Sequence, residues 1–384
     1  MAPYTVRWGI IATGGISKQF AKDLLVDPSS RDVSDVKHEI VAVGSRSVES
    51  AQSFIDHLKS AKPEDSWSWG VQNGLLDGVK AYGDYHGVYN DPSVDAVYIG
   101  TPHNLHHRNA KDALLAGKPV LCEKPFTMDV EELDELISIA KEKNLFLMEA
   151  VWTRFHPIAY AVQKVLDSGR LGRPKRFAAD FSGDAKLDDR PATGDRMIDP
   201  ELAGGALLDM GPYPSVWAML TLHHNKHNKD KDPKVITSHQ TIYKRTGVDA
   251  NSRWVVQWDG LCQAALLTDL ENSGLKEATA VVQCEEGDLC IEYPPWRPET
   301  FHLVPRPTHH VGSIKEKETH QVPCHPGNNG MSYEADEVAR CLRDGKIQSD
   351  RMPWDESRIV QGWFDVVRKN GDSVLKDYKG QAGQ

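Results

Sequence analysis

Residues 8–20 read WGIIATGGISKQF. An apolar run closes at Ile11, small residues follow, and Ile16 and Phe20 recur at helical spacing. The order is strand, tight turn, helix. In that context a glycine-rich turn lets the backbone approach a pyrophosphate at a helix N-terminus, where unpaired N–H groups and the helix dipole favour an anion. The three small positions of the fingerprint carry Ala12, Gly14 and Ser17, so two of its usual glycines are replaced. Ala12 is small enough for the turn but less forgiving than glycine. Ala12, Thr13, Gly14, Gly15 and Ile16 are therefore the candidate phosphate-binding turn.

Outward from this turn the chain keeps alternating. Strand-like runs at 39–43, 95–99, 119–122 and 145–150 are separated by helical patterns at 48–58, 106–116 and 130–141. Such alternation predicts parallel βαβ units and a doubly wound sheet. Residues 60–80 break the rhythm and read as a surface insertion whose Trp67 and Trp69 pack locally or at an interface. Beyond residue 155 the pattern changes. Helices are expected at 157–166 and 205–222, an antiparallel sheet between 235 and 303, and further helices at 331–342 and 356–367. Turn signals at Asp259-Gly260, Asn272-Ser273-Gly274 and Glu286-Gly287 support the sheet.

Composition bounds the function. The chain has 384 residues, enough for two domains with cores of their own. A net charge of −10 argues against a general nucleic-acid or anionic-membrane binder. No run of about 18 apolar residues predicts a membrane span. The N-terminal residues lack the charged and apolar regions of a signal peptide. The six cysteines are scattered without a CxxC pair and read as cytosolic thiols, so a cytoplasmic location is expected. His223 and His227 have the i, i+4 spacing of metal ligands, but no zinc-helix acid accompanies them and no metal is expected.

Two loops carry chemistry. The second strand ends in Gly44-Ser45-Arg46-Ser47 without the acid that binds an NAD ribose. Arg46 with the hydroxyls of Ser45 and Ser47 suits a 2′-phosphate, which favours NADP. Ser47 is also a plausible N-cap for the following helix. At 120–129, VLCEKPFTMD, an apolar strand ends abruptly in Glu123-Lys124-Pro125. The carboxyl end of such a strand is where open α/β sheets place ligands, and the proline biases Lys124 toward an extended backbone. The lysine is therefore aimed, not merely exposed.

Three segments add a resemblance: GTPHNLHHRNAKDALLAGKPVLCEKPF (100–126), LMEAVWTRFHP (147–157) and GGALLDMGPYPSVW (204–217). With the N-terminal turn they resemble the glucose–fructose oxidoreductase/inositol dehydrogenase (Gfo/Idh/MocA) family, in the branch of dimeric dihydrodiol dehydrogenases and fungal NADP-dependent D-xylose 1-dehydrogenases. The resemblance implies a Rossmann domain at 1–151 and, at 152–384, an α+β domain whose open, mostly antiparallel sheet serves substrate binding and homodimer packing. It implies that Lys124, Asp209 and Tyr213 are catalytic. It makes Trp152, Arg154 and Phe155 the wall of the site, with Trp152 and Phe155 toward substrate. Thr101, Pro102 and His103 would lie near the nicotinamide, and Glu123, Trp152 and Arg154 would contribute to cofactor binding. The departures are Ala12 and Ser17 in the turn and the insertion.

The implied chemistry is oxidation of a sugar hydroxyl. A bound nicotinamide accepts hydride, and Tyr213 takes the proton. A free phenol titrates near about 10, so a cation beside it is needed, and Lys124 is expected to supply it. Asp209, one helical turn before Tyr213, holds a neighbouring hydroxyl. Oxidation of trans-dihydrodiols is the alternative. A non-catalytic NADP-binding regulator of the same fold is the other, and it has no need of all three residues. His106 and His107 read as helix-start or packing residues.

Overall fold

The computed structural model describes residues 2–60, 74–306, 316–325, 327 and 329–378. Residues 61–73, with Trp67 and Trp69, lie outside the described residues. Two compact units result. One gathers residues up to Trp152 together with His325–Arg358, and the other gathers Thr153–Cys324 with Ile359–Tyr378. The chain therefore crosses between units more than once. A reading in two contiguous segments, 1–151 and 152–384, does not provide for the return of His325–Arg358 to the first unit.

The first unit carries β1 (Tyr4–Ile11), α1 (Gly15–Leu25), β2 (Val36–Gly44), α2 (Val48–Lys59), β3 (Lys80–Tyr82), α3 (Tyr85–Tyr89), β4 (Ala96–Ile99), α4 (His106–Leu115), β5 (Val120–Glu123), α5 (Val130–Lys143) and β6 (Leu147–Ala150). The strands form one parallel sheet in the order β3-β2-β1-β4-β5-β6. This is a doubly wound Rossmann sheet, and its strand order reverses between β1 and β4. The strands β4, β5 and β6 are buried throughout, as expected of mostly apolar strands covered on both faces, and the glutamates Glu123 and Glu149 are buried with them. Lys80, the last residue assigned above to the insertion, instead opens a strand, Lys80–Tyr82, paired with β2.

The second unit begins with α6 (Pro157–Asp167) and β7 (Pro174–Ser182). Then come α7 (Ala206–Met210), α8 (Pro212–Ala218), β8 (Lys234–Ile242), β9 (Asp249–Trp258), β10 (Cys262–Asp269), β11 (Ala280–Cys284), β12 (Gly287–Ile291), β13 (Thr300–Pro305) and β14 (Glu318–Gln321). Eight strands make one sheet, β14-β13-β12-β11-β7-β10-β9-β8, antiparallel except for the β7–β10 pair. Register sorts its two faces. Val256, Ala264, Phe177, Val282 and Leu289 lie side by side across five strands and are all fully buried. The adjacent row, Val255, Ala265, Ala178, Val281 and Cys290, is half-buried or exposed. Strand alternation thus leaves one face of the sheet open.

Two helices complete the chain, α9 (Met331–Arg343) and α10 (Trp354–Asn370). Polar contacts explain why α9 belongs to the first unit. Asp23 of α1 accepts the backbone N–H groups of Asn329, Gly330 and Met331 at 2.9, 2.9 and 2.7 Å, capping α9 from outside. Burial pushes the Asp23 carboxyl up to about 6, against the pull of those donors. Arg31 grips Asp336 of α9 through Nε and Nη2 at 2.9 and 2.7 Å. Trp8 Nε1–H donates to His38 Nδ1 at 3.1 Å, which leaves His38 Nε2–H to donate to Asp336 at 2.9 Å. Among the described residues, no helix is long and apolar enough to cross a membrane.

Candidate active site

The turn after β1 is built for an anion. Ala12 donates its N–H to the Gly44 carbonyl at 3.0 Å and takes a φ of +74°, a left-handed conformation that an L side chain adopts at a cost. At Gly14 and Gly15 an added Cβ would meet nothing within 4 Å, so open space lies above the backbone. Helix α1 starts there with no side-chain cap and no acid in its first turn. Its unpaired N–H groups and dipole therefore face that space, and the segment fits a pyrophosphate. Ser17, which replaces the third glycine of the fingerprint, is fully buried, and a Cβ on Gly100 would sit 2.3 Å from its Oγ. A glycine on the helix usually permits the close helix–strand approach. In this chain Gly100, immediately after β4, permits it instead.

At the end of β2, hydroxyls join into a triangle. Thr13 Oγ1 lies 3.2 Å from both Ser45 Oγ and Ser50 Oγ, and Ser45 Oγ lies 3.0 Å from Ser50 Oγ. Ser47 accepts the Ser50 N–H at 3.2 Å and so caps α2. Arg46, next to Ser45 in the chain, is exposed. Thr13, Ser45 and Arg46 thus gather at one edge of the turn, while the Ser47 hydroxyl is used structurally.

Lys124 follows β5 directly, in a cis peptide with Pro125. Glu123 is buried. It accepts the Tyr98 hydroxyl at 2.7 Å and the Lys124 N–H at 3.2 Å. The Phe126 N–H is held by Glu149 of β6 at 3.2 Å. His106 closes the arrangement. Fully buried at the start of α4, it sets Nδ1 2.7 Å from the Pro125 carbonyl and Nε2 2.9 Å from the Thr101 carbonyl. Asn109, one turn on, donates to Thr101 Oγ1 at 3.2 Å. The loop after β4, with Thr101, Pro102 and His103, and the turn after β5 are thus stitched together by one helix start. Burial pushes the His106 imidazole down to about 4. The two carbonyls oppose that shift, and the Lys124 charge adds to it.

In the second unit, Asp209 lies on α7 and Tyr213 on α8, one helical turn apart across Gly211. Asp249 of β9 fixes the start of α7 by accepting the Leu207 N–H at 2.8 Å. Gly205, at φ +119°, lets the chain pass Asp249, because a Cβ there would lie 2.3 Å from its Oδ1. Burial pushes the Asp249 carboxyl up to about 6. The Tyr213 ring packs edge-on against Phe181 at 5.4 Å and Trp296 at 6.4 Å, and Tyr293 meets Trp296 at 5.4 Å. Asp209 is paired with Arg196, Nη1 to Oδ1, at 2.9 Å. Trp152, Arg154 and Phe155 lie in one short helical turn and are all buried.

Two family models match this chain: the oxidoreductase family with an NAD-binding Rossmann fold over residues 6–151, and the GFO/IDH/MocA C-terminal domain over 160–290. The chain belongs to the Gfo/Idh/MocA family of oxidoreductases. It is 36% identical over 380 residues to a D-xylose 1-dehydrogenase (NADP(+)) of Hypocrea jecorina, covering 96% of this chain and 93% of that one. It is 34% identical over 371 residues to the trans-1,2-dihydrobenzene-1,2-diol dehydrogenase of Homo sapiens, covering 95% and 96%. Among solved structures, a levoglucosan dehydrogenase complex with NADH and levoglucosan shares the fold at TM-score 0.76 and 17% identity, covering 94% and 96%. So does a 3-ketoreductase from Actinomadura kijaniata in complex with NADP and TDP-benzene, at 0.73 and 24%, covering 96% and 98%.

Within this Gfo/Idh/MocA chain, the first unit brings together the Ala12–Ile16 turn with Ser45, and the Lys124 turn with Thr101. The second unit brings together Asp209 and Tyr213. Sequence reading missed Arg196, Phe181 and Trp296. His106, read above as a helix-start or packing residue, stands seven residues beyond the end of β4 and is both. Arg196 carried no signal, because its link to Asp209 spans 13 residues of irregular chain.

Proposed function

We propose that this chain is an NADP-dependent dehydrogenase that oxidises the C1 hydroxyl of D-xylose to the lactone. The observation that carries the reading is its end-to-end similarity to the NADP-dependent D-xylose 1-dehydrogenase, with Lys124, Asp209 and Tyr213 all present. The bound cofactor supplies the hydride acceptor. The Ala12–Ile16 turn holds its pyrophosphate, and Arg46 with Ser45 receives the 2′-phosphate. Thr101, Pro102, His103, Glu123, Trp152 and Arg154 complete its site. Tyr213 removes the hydroxyl proton as hydride leaves the same carbon, and Lys124 stabilises the tyrosinate. Asp209 orients the sugar, with Trp152 and Phe155 beside it.

The aromatic enclosure of Tyr213 by Phe181 and Trp296 favours a second substrate class, trans-dihydrodiols of aromatic rings. The open row Val255, Ala265, Ala178, Val281 and Cys290 supports a homodimer formed sheet against sheet. Six scattered cysteines without a CxxC pair support a cytoplasmic enzyme. A panel of aldopentoses, aldohexoses and dihydrodiols with NADP, followed by reduced-nicotinamide absorbance, tests the reading. Turnover highest on D-xylose is expected. Highest turnover on a diol replaces the substrate assignment, and no turnover on any member removes the enzymatic one.

A further inference from the structure

Asp209 poses an electrostatic problem for Tyr213. A carboxylate one helical turn from a phenol disfavours tyrosinate, which the proposed base must form. The second unit carries an answer of its own. We propose that Arg196 is a positioning residue for this pair: it holds the Asp209 carboxylate and neutralises its charge one helical turn from Tyr213. This inference rests on the proposed function for Tyr213's role as base.

The geometry is specific. Arg196 Nη1 lies 2.9 Å from Asp209 Oδ1, and the Asp209 side chain is 10% exposed against 62% for Arg196. The guanidinium thus reaches a sheltered carboxylate from the solvent side. Its backbone is not a loose loop. Asp195 accepts the Met197 N–H at 2.8 Å and is itself paired with Arg190 at 2.9 Å. The Gly205 N–H donates to the Met197 carbonyl at 2.8 Å, tying the segment to the start of α7. Arg196 is therefore built into the frame that places Asp209. Its guanidinium is held above its ordinary value first by Asp209 and further by Tyr213.

Against the Tyr213 ring, β7 presents Phe181 and the turn before β13 presents Trp296. Asp195, the other acid near Arg196, is occupied by Arg190. Lys124, in the other unit, is the cation the proposed function already assigns. Removing Arg196 therefore leaves the Asp209 carboxylate uncompensated beside the phenol, which disfavours tyrosinate. An opposite charge near a titrating group moves it by about 1–3 units. Because Arg196 is mostly exposed, solvent screening reduces this to the lower end.

The test is an ultraviolet titration of tyrosinate on the full-length protein, taken as wild type minus Tyr213→Phe so that only Tyr213 is read. It is repeated in Arg196→Gln and Arg196→Lys backgrounds beside pH–rate profiles with NADP and D-xylose. Arg196→Gln is expected to raise the Tyr213 midpoint by about one unit and to move the rising limb of kcat equally, with KM for NADP unchanged. Arg196→Lys is expected to restore most of both. A midpoint unmoved in Arg196→Gln overturns the proposal. If Tyr213→Phe keeps most of the turnover, Tyr213's role as base fails instead, and the spectroscopic midpoint still decides what Arg196 does to the phenol.

Discussion

Replacing Arg46 with Asp tests the cofactor reading most sharply. Arg46 stands exposed at the end of β2, beside a hydroxyl triangle that survives the change. A charge-assisted hydrogen bond to phosphate is worth about 1.5–3 kcal/mol. Exposure places this one at the low end, about 1.5 kcal/mol, or slightly more than tenfold. The wild type should therefore prefer NADP over NAD by at least about tenfold in kcat/KM. Aspartate adds repulsion against the phosphate, about 1 kcal/mol at 5 Å in a water-like dielectric. Together these remove about 2.5 kcal/mol, roughly 70-fold, from the preference, mostly through KM for NADP. The assay is initial rate against each cofactor at two ionic strengths, with the wild-type preference shrinking at the higher one. Ser47→Ala is the control. Because Ser47 caps α2, it should cost about 1 kcal/mol of stability and leave the preference unchanged. A wild type that uses both cofactors equally, or an Arg46→Asp variant with unaltered preference, refutes the reasoning.

Other outcomes follow from the same geometry. Tyr213→Phe should cut kcat by roughly 10²–10⁴-fold while NADP still binds, as fluorescence titration will show. Ala12→Gly relieves a left-handed φ costing about 1–2 kcal/mol, offset by about 0.4–1 kcal/mol of added unfolded-chain entropy. A small rise in melting temperature is expected, and a fall would show that the methyl group is needed. Asp336→Ala leaves Arg31 buried without its partner and should cost about 3–5 kcal/mol in urea unfolding. Burial alone would raise the Asp336 carboxyl, but Arg31 and His38 outweigh it and hold it below its ordinary 3.8. Its contribution is therefore full above that pH and lost as pH falls through the lower folded value. His106 is held down to about 4 from 6.5, so the unfolded chain binds its proton more readily. Stability should fall as pH drops from 6.5 toward 4, and His106→Gln should flatten that slope in melting curves.

Local pattern was enough to read much of this protein. The strand–turn–helix at residues 8–20, the buried runs of β4 to β6 and the amphipathic spacing of α9 each follow from residues close in sequence, because apolar periodicity decides which face is buried. Asp209 and Tyr213 were legible through the family resemblance, and their four-residue spacing agrees with a shared helical face. Other features were not legible. The strand β7 lies in the middle of its sheet yet went unpredicted. Its residues do not alternate cleanly, and its partners β10 and β11 come from far along the chain. The return of α9 to the first unit depends on Asp23, Arg31 and His38 meeting residues about 300 positions away. The two carbonyls that meet His106, and the guanidinium that meets Asp209, likewise come from loops with no periodicity to announce them. Sequence determines what a segment prefers to be. Only the packed chain decides which buried polar groups find partners, because that pairing is settled by desolvation at contacts between distant residues.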